Sequence, residues 1–395
     1  MENFLCLQPQ YVNEFLCDAS RCKNNCCSRP WNIIVDKDTY EKYSRLGSQE
    51  ILRHIRFIEQ RGEYLLVGRP CPFLTEKNLC RLQLEHGEDF LSLTCRTYPR
   101  QNYDFGKFFE RSLTLTCPLA AELILFRREP IQFELITLSR NDLAVNKLQV
   151  PAKFLDRMID IQAAMISILQ ERTLSIGQRL IVLGFFLDKL DEISAGEFDD
   201  ALTKLVAAYE SKNFLAAQVP LMLASVRFNA KKFVKLMIEL LSIVYGVNIF
   251  DEEQKFLDRA VDVLGIKPDE NKMVSVANVA ANYERLVVAR KNFLAQYSTF
   301  LENYLVNEIF LNVYPWRFKE SIANNFAVLV TTYKIFELLV FAAVQSGFSD
   351  KDDLLKLIDW FTVQTDHNGE IQRQIFNRCR INGDLSSLME NLIEQ

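Results

Sequence analysis

The sequence predicts a mainly α-helical protein, in which a small cysteine-rich α+β domain with short strands is followed by a larger all-helical domain. Nine of the ten cysteines lie within the first 117 residues, and only Cys379 lies beyond them. Turn residues and short strand-like runs dominate the first 130 residues, whereas from about residue 150 apolar residues recur with a helical period. A chain of 395 residues exceeds the usual single-core limit, so we predict two domains, 1–145 and 146–395.

The elements of the first domain follow from local signals. The run "WNIIV" at 31–35 predicts a strand, and Asp36 and Gly47 are suited to begin and end a helix over "KDTYEKYSRL". "EYLLVG" predicts another strand and "CPFLTEKNLCRL" a tight hairpin. Two strands joined around Asn102–Gly106 precede a helix that begins at Pro118, and "IQFELITL" predicts one more strand.

The second domain reads as a succession of amphipathic or buried helices. The longest predicted helix runs through "VANVAANYERLVVARKNFLAQYSTFLENYLVNEIF" without a break. Breaks between helices are expected near Gly196, Pro220, Gly246, Lys267–Pro268 and Pro315.

Composition excludes several classes of protein. With 46 basic and 51 acidic residues the net charge is −5, and no long basic stripe appears, so we expect no nucleic-acid partner. The N-terminus has no positive region followed by an apolar core, so no signal peptide is predicted. The apolar runs are shorter than the roughly 20 residues that span a bilayer, which predicts no membrane insertion and a cytoplasmic location.

Clustered thiols in a reducing cytosol indicate metal or redox chemistry, because structural disulfides are rare there. Cysteines on short loops can converge on a soft cation or an iron–sulfur cluster. The candidate metal ligands are Cys17, Cys22, Cys26, Cys27, Cys71, Cys80, Cys95 and Cys117. This number exceeds the four that one zinc takes, so either two sites exist or one cluster has spare thiols beside it.

Other interpretations of the cysteines remain open at this point. Cysteine is a common small buried residue, and we expect Cys6 and Cys379 to have that role. The remaining thiols fit a disulfide framework, a zinc site that braces a loop-rich fold, or a redox or methyl-handling cluster. Of the three histidines, His54 falls in a predicted helix "EILRHIRFIEQ", His86 precedes Gly87 at a helix end, and His367 lies in a loop. None has the spacing of a metal pair.

Several motifs resemble the flagellin lysine N-methylase family of flagellated bacteria. They are "CDASRCKNNCCSRPWNIIVDKDTY", the "CPFLTEKNLC" segment, "TCRTYPR", "LTLTCPLAAEL" and "FLENYLVNEIF", followed by "YPW". The resemblance is dense over the N-terminal third and weaker over the helical part. Small zinc- or iron-chelating cysteine-rich proteins share the C-x3-C-C, CPFL and CR-x-YP elements, so these elements indicate metal binding rather than methylation.

The resemblance implies methylation of lysine side chains of flagellin from S-adenosylmethionine, with a [4Fe–4S] cluster taking part and zinc as the alternative metal. It carries the eight cysteines above over as ligands, and we rank Cys22, Cys26, Cys71, Cys80 and Cys95 ahead of the other three. Arg96, Tyr98 and Arg100 of "TCRTYPR" are expected beside a ligand, where they orient the cluster, bind a carboxylate or simply pack.

Two features of the sequence depart from the patterns of known methyltransferases and radical enzymes. Among 13 glycines there is no G-x-G pair, so a Rossmann-type methyltransferase turn is not expected. Cys22-x3-Cys26 is followed at once by Cys27, which departs from the C-x3-C-x2-C spacing of radical enzymes. The helical domain is either a scaffold or, with the cysteine domain, a groove for flagellin. The alternative from another class is a non-catalytic zinc- or iron-binding protein with a helical partner-binding domain, and an iron–sulfur redox protein is a third.

Overall fold

The computed structural model describes most of the chain in two compact units. It describes residues 3–22, 26–29, 31–68, 70–139, 144–247, 255–266, 274–366, 368–379 and 385–393. The first unit comprises Met1–Leu123 and Ile131–Leu148, and the second comprises Ile124–Pro130 and Gln149–Gln395. Strands occur in the first part of the chain and helices dominate the rest, which confirms the predicted fold class. The proposed roles of the two parts stay predictions.

A five-stranded mixed sheet forms one layer of the first unit. Its strands are β1 (Asn3–Pro9), β5 (Arg100–Asp104), β6 (Phe109–Leu113), β7 (Phe133–Ser139) and β8 (Val145–Asn146). The order is β7-β1-β6-β5-β8, in which β1 pairs antiparallel with β7 and parallel with β6. The predicted pair β5–β6 and the predicted strand β7 are confirmed. Sequence reasoning missed β1, although it lies inside the sheet.

The segment between Cys27 and Cys71 contains a smaller antiparallel sheet, in the order β2-β4-β3. Its strands are β2 (Ile33–Val35), β3 (Ile55–Ile58) and β4 (Glu63–Leu66), and the short helices of the unit are α1 (Tyr11–Glu14), α2 (Lys37–Leu46), α3 (Gln49–Leu52), α4 (Arg81–His86), α5 (Leu93–Thr97) and α6 (Pro118–Leu125). The predicted limits of α2 are confirmed, because the Asp36 carboxylate accepts the Thr39 N–H at 3.0 Å and Gly47 is left-handed at φ 67°.

Two local predictions in this unit need correction. The helix expected over "EILRHIRFIEQ" is only the short α3, and His54 follows it in a turn before β3. The apolar residues after His54 pair with β4 instead, so strand pairing overrides the helical pattern. The expected hairpin at "CPFLTEKNLCRL" is a turn with a single antiparallel bridge between Leu74 and Cys80, followed directly by α4.

The second unit is helical throughout its described elements. Its helices are α7 (Ala152–Leu155), α8 (Met158–Leu169), α9 (Ile176–Glu192), α10 (Phe198–Glu210), α11 (Lys212–Ser225), α12 (Ala230–Val247), α13 (Lys255–Leu264), α14 (Val276–Gln296), α15 (Phe300–Leu311), α16 (Ile322–Gln345), α17 (Lys351–Asp366), α18 (Gly369–Cys379) and α19 (Leu385–Leu392). α9 and α16 approach closely at Gly184, where an added Cβ would lie 3.2 Å from the Phe326 ring and 2.6 Å from Met389 Sδ.

Two helix predictions in this unit were wrong. The long predicted helix is divided into α14 and α15 at Tyr297–Thr299. Pro220 does not end a helix but lies inside α11. A proline frees the carbonyl four residues before it, here Ala216, and both residues are exposed, so water can serve that carbonyl. The expected break at Lys267–Pro268 lies outside the described residues.

Among the described helices, α16 alone has the length and apolar character of a membrane span. The lengths of the apolar runs in the sequence did not predict such a helix. In the structure 89% of its most apolar window is buried inside the protein. It packs against α9, α13, α14, α18 and α19. This burial is typical of a core helix, and the cytoplasmic location stays a prediction.

Candidate functional site

A cavity of about 310 Å³ in the first unit brings together cysteines that are far apart in the sequence. Its lining includes the thiols of Cys17, Cys26, Cys27, Cys71, Cys80 and Cys95. Most of the remaining lining is apolar and includes Phe15, Phe73 and Leu82. Cavities of this size with a few convergent polar groups are typical ligand sites.

Local structure positions each pair of these cysteines. Cys26 and Cys27 lie on a single 3-10 turn, Cys26–Ser28. The N–H of Cys71 donates to the carbonyl of Cys27 at 2.8 Å, which ties the two segments together. Cys80 is the N-cap residue of α4, and Cys71 and Cys80 both pack against the apolar core beneath the small sheet.

Cys95 is held by the cap of its own helix. The Ser92 hydroxyl accepts the N–H of Cys95 at 3.2 Å and so begins α5 directly before the thiol. Asp36 of the α2 cap also accepts the Leu93 N–H at 2.7 Å, which links α5 to α2. The Cys95 side chain is therefore placed by the Ser92 cap and by the Asp36–Leu93 contact, and of these only Asp36, as the cap of α2, was predicted from the sequence.

Two of the predicted cysteines lie apart from the lining. Cys22 and Cys117 are not among the described residues that line the cavity, although their charges would act on one another. Cys117 is buried and precedes α6. The prediction that all eight cysteines are ligands, and our ranking of Cys22 ahead of Cys17 and Cys27, stay predictions.

The histidines do not extend this set among the described residues. His54 and His86 are half-buried, and neither lines the cavity. The His86 ring lies 4.9 Å from the Phe90 ring at the end of α4. His367 lies outside the described residues.

Burial controls the protonation of most of the thiols. Desolvation raises the pKa of Cys22 to about 11 and the pKa values of Cys95 and Cys117 to about 12. Burial also raises the pKa values of Cys17 and Cys80. Thiols with raised pKa values are neutral at pH 7, and a bound cation would supply the charge that deprotonates them.

Cys26 differs from the others because its neighbour donates to it. The hydrogen bond from Cys27 lowers the pKa of Cys26, whereas the hydrogen bonds that Cys27 makes with Cys26 and Cys71 raise its own pKa. The adjacent pair is thus one thiolate-prone sulfur and one sulfur that keeps its proton. Consecutive residues therefore have different electrostatic roles.

The donor chemistry of the cavity fits a thiol-ligated metal group. Over the described ranges, however, no group of three or more His, Cys, Asp or Glu side chains is arranged to hold a single metal ion. The six thiols line one cavity together. Thiol donors of this kind suit either zinc or an iron–sulfur cluster.

The three residues predicted beside the ligands all line the cavity. The Tyr98 hydroxyl lies 3.2 Å from the Thr116 hydroxyl, and its ring packs on Trp31. Arg100 Nη2 donates to the Phe15 carbonyl at 3.3 Å, and its guanidinium lies over the Phe15 ring. Burial lowers the pKa of Arg100, and negative charge on Glu88, Cys17 or Cys117 would act to raise it.

A second cluster of ionisable groups lies inside the helical unit and was missed in the sequence. Glu308 of α15 is buried, and Asn312 donates to its Oε2 at 2.8 Å. Arg317 lies 3.9 Å from Glu308 and 3.7 Å from Asp366. The pKa of Glu308 is raised to about 8, mainly by burial and then by the Asp366 charge. The Arg317 charge acts in the opposite direction. The "LENYLVNEIF" segment did contain this residue, but sequence alone did not show its burial.

We expect the free energy of unfolding to fall as the pH rises between the unfolded and folded pKa values of Glu308. A glutamate carboxyl whose pKa is about 8 in the folded protein, against an ordinary 4.5, keeps a proton that the unfolded chain has lost. The free energy of unfolding should fall by about 1.4 kcal/mol per pH unit between these values and level off above them. Urea unfolding at several pH values, compared with Glu308→Gln, measures this. An equal pH dependence in both proteins would contradict it.

Comparison with known proteins shows what this chain is similar to. The model of the FliB lysine N-methylase C-terminal domain matches residues 162–392, more than half of the chain. The Lysine-N-methylase of Salmonella typhimurium (strain LT2) is 23% identical over 414 residues, which cover 98% of this chain and 99% of that protein. The Lysine-N-methylase of Salmonella choleraesuis matches equally, also at 23% identity.

A shorter relative matches more strongly over less of the chain. The flagellar biosynthetic protein FliU of Salmonella muenchen is 34% identical over 139 residues, which cover 32% of this chain and 79% of that protein. No solved structure matches.

These features define the class of protein. It has two parts, a unit with a cysteine-lined cavity and a helical unit joined to it in sequence. The extent of the family match makes the assignment specific. The chain belongs to the FliB lysine N-methylase family.

Proposed function

We propose that the protein transfers methyl groups from S-adenosylmethionine to lysine side chains of flagellin, with a [4Fe–4S] cluster held among the cavity cysteines. The observation that carries the proposal is the gathering of six thiols around one cavity in a chain of the lysine N-methylase family. The names of the relatives support lysine methylation in a flagellar context.

Four of the cysteines are the best candidates to hold the cluster. The charges of Cys26, Cys71 and Cys80 all act on Cys95, and Cys71 and Cys26 both act on Cys80. We assign these four because all of them line the one cavity. When bound, the cluster would supply an iron that can take the methyl donor as a ligand. Cys17 and Cys27 then face the cavity as additional thiols.

The remaining lining suits the acceptor. A lysine amine attacks a methyl group only when it is neutral, and an apolar surround lowers the pKa of an ammonium group. Phe15, Phe73 and Leu82 supply that surround. Glu88 is the one carboxylate among the described lining residues, and we assign it as the candidate acceptor for the lysine proton.

The proposal is tested on the full chain purified without oxygen. We expect about four iron atoms with matching sulfide and a visible absorption band. This protein should methylate purified flagellin with isotopically labelled S-adenosylmethionine, and peptide mass mapping should locate the label on lysines. A matched sample loaded with zinc should be inactive. Full activity of the zinc-loaded, cluster-free protein would remove the cluster from the proposal.

The alternative is a non-catalytic zinc- or iron-binding protein. The raised pKa values of the thiols favour metal binding of either kind, because a metal is needed to ionise them. A colourless zinc protein that binds flagellin without labelling it would support this alternative. An iron–sulfur protein without label transfer would support a redox role instead.

A further inference from the structure

Cys27 lines the cavity but is not one of the four cysteines that we propose hold the cluster. Its sulfur makes hydrogen bonds with the thiols of Cys26 and Cys71. The main chains of Cys27 and Cys71 are joined by the 2.8 Å bond from the Cys71 N–H to the Cys27 carbonyl. Both side chains are half-buried and line the cavity, so small reagents can reach them.

Geometry selects between the two possible partners of Cys27. Adjacent residues joined by a trans peptide have Cα atoms about 3.8 Å apart. That separation lies below the ~4.4–6.8 Å over which unstrained disulfides form. The 2.8 Å hydrogen bond from the Cys71 N–H to the Cys27 carbonyl instead keeps these two Cα atoms within about 6.7 Å of each other, inside that range. Cys71 is thus the partner that Cys27 can bridge without strain.

We propose that Cys27 and Cys71 are a redox-modification site, at which a low-molecular-weight disulfide converts the two thiols into a Cys27–Cys71 disulfide when no metal is bound. One protein thiolate attacks the small disulfide and expels one small thiol, and a mixed disulfide forms. The second protein thiolate then attacks the protein sulfur of the mixed disulfide and expels the other small thiol. Two protein thiols are oxidised and one small disulfide is reduced to two thiols, which take up the two protons.

The bridge would enclose the complete small sheet. The residues between Cys27 and Cys71 contain β2, α2, α3, β3 and β4. Their core includes Val35, Tyr43 and Leu66, and Cys71 packs against it. A bridge at the base of this segment restricts its opening, and it also removes Cys71 from the set of free thiols. Oxidation would therefore stabilise the segment and block metal uptake together.

The test uses the full chain freed of metal by a chelator and then incubated with oxidised glutathione. Peptide mass mapping without reduction should find one cross-linked peptide pair, Cys27 with Cys71. Cys27→Ser should abolish this product, whereas the matched variant Cys26→Ser should still form it. The oxidised protein should resist proteolysis between these residues and take up ~10-fold less iron until dithiothreitol restores it.

The outcomes separate this inference from the proposed function, on which only the iron-uptake measurement rests. Cross-linking of Cys27 to Cys26, a mixed disulfide that never closes, or unchanged thiols would overturn the inference. Absence of bound iron in the untreated protein would count against the proposed function and leave the cross-link measurement intact. Formation of the bridge in Cys71→Ser by another partner would also overturn it.

Discussion

Cys95→Ser is expected to lose both bound metal and methylation, with activity reduced more than ~100-fold. The Cys95 thiol opens into the cavity, and the charges of Cys26, Cys71 and Cys80 all act on it. A serine keeps the size of the side chain but is a poor ligand for iron. Iron and sulfide analysis, visible absorption and label transfer to flagellin measure the two losses side by side.

The matched control is Cys379→Ser. Cys379 is buried in α18 of the helical unit and lies far along the chain from the cavity cysteines. Its metal content and label transfer should equal those of the unaltered protein, after correction for any difference in folded fraction. A Cys95→Ser protein that retains a full cluster would exclude Cys95 from the ligand set.

Glu302→Gln is expected to destabilise the helical unit by about 3–5 kcal/mol. The Glu302 carboxylate is buried and accepts from Arg172 Nη2 at 2.7 Å and from Arg179 Nη1 at 2.8 Å. Arg179 is itself buried and also donates to the Leu169 and Leu174 carbonyls. Removal of the carboxylate charge leaves the Arg179 guanidinium buried without compensation. Urea unfolding measures the change.

Glu192→Gln provides the control for the same chemical change at the surface. Glu192 pairs with Lys189 at 2.7 Å, but both side chains are more than half exposed. Exposed pairs contribute about 0–1 kcal/mol because water and salt screen them. A loss at Glu302→Gln no larger than at Glu192→Gln would show that the Arg172–Glu302–Arg179 contact does not hold these helices together.

The "LENYLVNEIF" segment shows what kind of information the sequence carried. It was recognisable as a family feature, but its amphipathic pattern gave no reason for its polar residues. In the structure Glu302 binds two arginines, and Asn303 donates to the Ile124 carbonyl at 3.0 Å and the Arg127 carbonyl at 2.7 Å. These partners lie more than 120 residues away in the chain, and no local pattern encodes contacts of that range.

Local chemistry explains which structural predictions were correct. The ends of α2 followed from Asp36 and Gly47, because caps depend only on neighbouring residues. The break between α14 and α15, and the proline inside α11, depend on packing and exposure. β1 was missed because its strand character comes from pairing with β6 and β7.

The sequence by itself determined the mainly helical fold, the concentration of thiols in the first part and the resemblance to a lysine N-methylase family. Only the tertiary structure decided which cysteines share a cavity: Cys17 and Cys27 line it, and Cys22 does not. The tertiary structure also distinguished the two adjacent thiols, because it lowers the pKa of Cys26 and raises the pKa of Cys27. Spacing along a chain lists the available sulfurs, but the folding of loops around a common apolar core determines which sulfurs meet and how far each is desolvated.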